Sequence, residues 1–77
     1  MEELIEELIM ILEDDSIPKN VKIKIESAIA ALQQEDVELS IRANKALQQL
    51  DDLSDDPNIP SYIRPQLWNI VSQLETR

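Results

Sequence analysis

Apolar residues recur at helical spacing along most of the 77-residue chain, in four stretches separated by short polar breaks. In the first, EELIEELIMILE at residues 2–13, the apolar positions are Leu4, Ile5, Leu8, Ile9, Ile11 and Leu12. They fall on one arc roughly 160° wide when successive residues turn by about 100°. An arc this broad predicts a helix that touches two neighbours. Glu2, Glu3, Glu6 and Glu7 lie on its other side, near the N-terminus that favours negative charge, and Met10 stands alone on this acidic face.

The spacing predicts three more helices. One runs from about 18 to 33, with Val21, Ile25, Ala28, Ile29 and Leu32 inward. Pro18 suits its first position, where the missing N–H would have been unpaired anyway. Ile17, extended because it precedes proline, is placed to pack on Val21. The third spans about 37 to 53, with Asp36 as N-cap and Leu39, Ala43, Ala46, Leu47, Leu50 and Leu53 inward. The fourth spans about 60 to 75 and buries Ile63, Leu67, Ile70, Val71 and Leu74. Pro65 conflicts with a regular start there, because it removes a donor and crowds the carbonyl of Ser61. An irregular or 3₁₀ turn over 60–64, or a bend before Pro65, is expected.

The breaks themselves repeat. DDSIP at 14–18 and DDPNIP at 55–60 align through Ile17-Pro18 and Ile59-Pro60 at an offset of 42 residues. The same offset pairs Ile5 with Leu47, Leu8 with Leu50, Ile11 with Leu53, Val21 with Ile63, Ile25 with Leu67, Ala28 with Ile70, Ile29 with Val71 and Leu32 with Leu74. The chain therefore reads as two copies of one helical hairpin, about 2–33 and about 37–75, in a single domain. A period near 42 resembles the HEAT-type repeat. Two hairpins are too few for a solenoid, so the expected fold is all-α, an antiparallel four-helix bundle made of two HEAT-like helical hairpins.

Composition sharpens what such a bundle can do. Sixteen acidic residues against seven basic give a net charge of −9, which disfavours nucleic-acid backbones and acidic lipid surfaces. There is no histidine or cysteine, so imidazole bases, thiolate nucleophiles and zinc sites built from those ligands are excluded. Glycine is absent too, which rules out glycine-rich phosphate loops. The longest apolar run, Leu8 to Leu12, is far short of a membrane span and the N-terminus is acidic where a signal peptide would be basic. A cytoplasmic protein with no membrane contact is expected.

The remaining candidate chemistry is slight. Asp14, Asp15, Asp55 and Asp56 form acidic pairs that could hold Ca²⁺ or Mg²⁺, but EF-hand spacing is missing and turn capping explains them as well. Serines without a histidine partner and carboxylates in exposed turns give no catalytic set, so no enzyme and no cofactor are expected. Lys19, Lys22 and Lys24 make a small basic spot that could dock on a nucleoprotein assembly. Met10, Ile23, Ile41 and Trp68 are apolar residues off the core stripes, with Trp68 standing where Glu26 stands in the first copy. They are the candidate interface for an unknown protein partner or a homo-oligomer.

The C-terminal third carries a resemblance. With DDPNIP, then Arg64, then WNIVSQLE at 68–75, the chain resembles an uncharacterised family of small acidic proteins from archaea. The acidic first helix and the turn at Asp15 to Pro18 also match that family. The resemblance implies a compact four-helix bundle in an archaeal cytosol and supplies no catalytic residues.

Overall fold

The four stretches form four helices in the computed structural model, which describes residues 2–76 except for the side chain of Ser54. They are α1 (Glu2–Leu12), α2 (Lys19–Leu32), α3 (Leu39–Ser54) and α4 (Arg64–Glu75). Each helix packs on the next in sequence, α2 on α3 most extensively, so neighbours joined by short elbows run antiparallel as a four-helix bundle. The molecule is 33 Å long. A 16-residue helix rises about 24 Å, so the helices lie side by side and are not stacked end to end.

The core is aliphatic. Leu4, Leu8, Ile11, Val21, Ile25, Leu32, Leu50, Leu53, Ile63, Leu67 and Ile70 are almost wholly buried, with Ile5, Leu12, Leu47 and Val71 partly buried around them. No polar or charged residue is buried among the described residues. Close packing of this kind makes each truncation costly, about 2–5 kcal/mol for Leu or Ile to Ala. The 42-residue offset reappears in burial: Leu4 and Ala46, Leu8 and Leu50, Ile11 and Leu53, Ile17 and Ile59, Val21 and Ile63, Ile25 and Leu67, Ala28 and Ile70, and Leu32 and Leu74 are all buried.

Two residues placed inward by periodicity are exposed. Ile9 lies at the far edge of the α1 arc, and the packing against α2 uses the inner part of that arc. Leu39 is the first residue of α3, ahead of its buried stripe, which begins at Ala43. Glu7 errs the other way: it stands three residues after Leu4 and four before Ile11, so it shares their side of the helix and is half-buried, not on the open acidic face.

The elbows correct the predicted caps. Pro18 is the N-cap of α2 and not its first residue: φ −59° suits the ring, but ψ 152° is extended. Its carbonyl then accepts from the N–H groups of Val21 and Lys22, both at 3.1 Å. At the second elbow the N-cap is Glu38, not Asp36, and no side chain caps the helix. The reason is a tight turn, in which the Val37 N–H donates to the Gln34 carbonyl at 3.2 Å and keeps Asp36 and Val37 out of the helix.

The same turn closes all three elbows. Ile17 N–H donates to the Asp14 carbonyl and Ile59 N–H to the Asp56 carbonyl, each at 3.3 Å, as Val37 does to Gln34. The third elbow is longer. Ile63 N–H donates to the Pro60 carbonyl at 3.0 Å, so residues 60–63 form one further turn before α4 begins at Arg64. Pro65 falls in the first turn of α4, where its missing N–H leaves no helical bond unmade. Starting the helix late removes the conflict that Pro65 would create in a helix from Pro60.

Candidate functional site

In an up-and-down bundle the first and third elbows share one end, and a hydrogen-bonded cluster joins them. Asp14 Oδ1 accepts from the Ser16 backbone N–H at 2.9 Å and from the Ser16 hydroxyl at 2.6 Å. Tyr62, in the turn before α4, donates its hydroxyl to Asp14 Oδ2 at 2.6 Å and lies 2.8 Å from Ser16 Oγ. Two hydroxyl hydrogens serve three oxygen contacts, so the carboxylate is the common acceptor. The Ser16 hydroxyl foremost, then Tyr62 and the Ser16 N–H, hold the Asp14 carboxyl below the usual carboxylate range, with Lys22 adding to the effect.

The Asp14 carboxylate is thus a structural acceptor. Asp56 repeats half of the arrangement, accepting the Asn58 N–H at 2.9 Å with no tyrosine opposite. Among the described residues, Asp14, Asp15, Asp55 and Asp56 form no group of three or more that could hold a metal ion. Of the three lysines read as a basic spot, Lys24 makes an ion pair with Asp52 of α3 at 2.8 Å and Lys22 acts on Asp14. The remaining basic ties hold the fold: Arg42 Nη1 donates to the Leu32 carbonyl at 3.3 Å and Arg64 Nη2 to the Asp56 carbonyl at 3.1 Å.

All four candidate interface residues are exposed, Met10 by 71%, Trp68 by 58%, Ile23 by 53% and Ile41 by 45%. The structure does not gather them into one patch. Ile23 lies one turn into α2, near the first elbow, while Ile41 lies in the first turn of α3, at the opposite end. On α4, Trp68 is one residue past the buried Leu67, which turns it about 100° away from the core.

Of these four residues, Met10 borders a groove between two helices. Glu7, Met10 and Ile11 of α1 and Gln66, Asn69 and Ile70 of α4 line a groove of about 280 Å³. Within this site Glu7 Oε2 is shielded from water and has no hydrogen-bond partner. Leaving such an oxygen unpaired carries a desolvation cost. Periodicity could have signalled Glu7, through its spacing from Leu4 and Ile11. Tyr62 had no such signal, because its partner Asp14 is 48 residues away. On the far side of the molecule Ser27, Ala30 and Ala31 of α2 face Lys45, Gln48 and Gln49 of α3 across a shallow, small-residue groove.

Comparison with known proteins agrees with this architecture. Residues 1–76 match the family described as "Uncharacterised protein family (UPF0147)". A UPF0147 protein of Archaeoglobus fulgidus is 39% identical over 75 residues, covering 97% of this chain and 85% of that protein. The UPF0147 protein MJ1419 of Methanocaldococcus jannaschii is 40% identical over 65 residues, covering 84% and 70% respectively. The crystal structure of the unknown function protein MMP1188 superposes with a TM-score of 0.92 at 42% identity, over 99% of this chain and 86% of that one.

Proposed function

The chain belongs to the UPF0147 family of archaeal proteins, and from that premise we propose that it is a non-catalytic interaction protein, which binds another protein through apolar side chains that its own core leaves outside. The observation that carries this reading is the exposure of Met10 and Trp68 on a bundle whose core is otherwise completed by aliphatic residues. Trp and Met are enriched where protein surfaces meet, and they contribute most when a partner desolvates them. The bundle is the scaffold: two HEAT-like hairpins related by 42 residues, supported by the repeated burial pattern, present outward faces that differ because only the second copy carries a tryptophan.

The test is partner capture and light scattering with Trp68→Ala, Ile23→Glu and Met10→Glu. All three sites are exposed, so the variants fold as the parent does. Loss of assembly or of a captured partner in at least one variant is the expected result; unchanged behaviour in all three excludes these residues as the surface.

A further inference from the structure

α1 is the most one-sided element of the molecule. Glu2, Glu3, Glu6 and Glu7 lie on it, Glu13 follows it, and the helix contains no lysine or arginine. Among the described residues the ion pair between Lys24 and Asp52 involves none of these glutamates. The helix dipole favours acidic residues only over the first turn, so it does not account for Glu6, Glu7 and Glu13. Beside it runs the groove between α1 and α4, with an apolar floor from Ile11 and Ile70, Met10 at its lip, amides from Gln66 and Asn69, and the unpartnered oxygen of Glu7.

We propose that this groove docks a basic amphipathic segment of another protein: a helix or extended strand whose apolar side chains cover Met10 and Ile70 while a lysine or arginine pairs with the half-buried Glu7 carboxylate. The inference rests on the interaction reading above and names the chemistry of its partner. Charge complementarity selects this occupant. A second copy of the chain fits poorly, since each carries a net charge of −9. A purely apolar segment would cover the Glu7 carboxylate without pairing it, a cost that a cationic donor offsets. Long basic side chains suit the site further, because their methylene stems pack on apolar surface while the charged head reaches a carboxylate.

The experiment titrates the folded protein with three synthetic peptides while following backbone amide resonances. One is an amphipathic helix with lysine and leucine faces, the second is its glutamate and leucine counterpart, and the third has the same lysines with serine in place of leucine. The lysine and leucine peptide is expected to bind saturably, to shift resonances of residues 6–13 and 64–73, and to lose affinity roughly tenfold in Glu7→Gln, the equivalent of about 1.4 kcal/mol. Met10→Ser, at a site too exposed to unfold the chain, is expected to weaken the same peptide several-fold, and Lys45→Ala on α3 to leave it unchanged. Equal binding of the lysine and serine peptide would reduce the effect to bulk charge and overturn the proposal. So would shifts confined to other faces, or binding indifferent to Glu7→Gln and Met10→Ser. If partner capture then still depends on Trp68, the interaction reading survives without this groove.

Discussion

The first and second elbows, at 13–18 and 33–38, share one backbone course, yet the helices that leave them bury opposite faces. Each closes with the same turn, Ile17 onto Asp14 and Val37 onto Gln34. Each passes into its helix through an extended N-cap, Pro18 at φ −59° and ψ 152°, Glu38 at φ −56° and ψ 146°. Three residues on, the likeness ends: Val21 is buried and Ile41 is exposed. The stripe of α2 runs through Val21, Ile25 and Ala28, whereas that of α3 runs through Ala43, Ala46 and Leu50, displaced by two positions relative to the elbow. Two positions are about 200° on a helix. A local turn delivers the chain to the next helix, and the apolar stripe decides which way that helix faces.

The third elbow sides with the first, since Ile63 is buried three residues after Pro60. The sharpest test of the comparison therefore sets Ile63→Ala against Ile41→Ala in urea unfolding. Ile63→Ala is expected to cost about 2–5 kcal/mol, and Ile41→Ala to stay within about 0.5 kcal/mol. Similar losses at both sites would mean that the elbow, and not the stripe, sets burial.

A smaller effect is expected from making the second elbow more like the first. Glu38 already has a proline-compatible φ of −56°, and no hydrogen bond from its N–H is made among the described residues. Glu38→Pro is expected to raise stability by about 0.4–1 kcal/mol by restricting the unfolded chain. A lower unfolding midpoint would show that the two elbows differ in a way their dihedral angles conceal.

The subtlest contrast lies between the carboxylate of Asp14, clasped by Ser16 and Tyr62, and that of Asp56, which accepts from Asn58 in its own turn. Asp14 is held below its ordinary value of 3.8 in the folded state. The folded protein thus takes up that proton less readily than the unfolded chain. Its stabilisation is full above the unfolded value and drains away as pH falls through the lower folded one. Asp14→Asn is expected to lower the thermal midpoint near neutral pH, with the gap to the parent narrowing on acidification. Tyr62→Phe is expected to reproduce part of that loss. A gap that does not change with pH would sink the assignment of the clasp to the ionised carboxylate.

Much of the fold was legible because it rests on periodicity. The four helices, the stripe of α2 and the 42-residue correspondence all follow from where leucine and isoleucine recur. Caps were less legible. Asp36 has the chemistry of an N-cap, but the turn made by Val37 onto Gln34 carries the chain two residues past it. The candidate surface was legible only as separate residues. Met10, Ile23, Ile41 and Trp68 are recognisably off the stripes, and their separation over both ends of the bundle is a matter of how the helices are arranged.

The amino-acid sequence by itself determined that this chain forms amphipathic helices around an aliphatic core, with histidine and cysteine chemistry excluded and a strongly acidic surface. These are properties of residue type and of spacing along one helix. Only the tertiary structure decided that Asp14 meets Tyr62, that Glu7 lies in a groove against α4, and that Ile41 points outward where Val21 and Ile63 point in. Those outcomes depend on how helices distant in sequence pack against one another, and a repeating pattern of apolar positions says which face of a helix is buried without saying what it will be buried against.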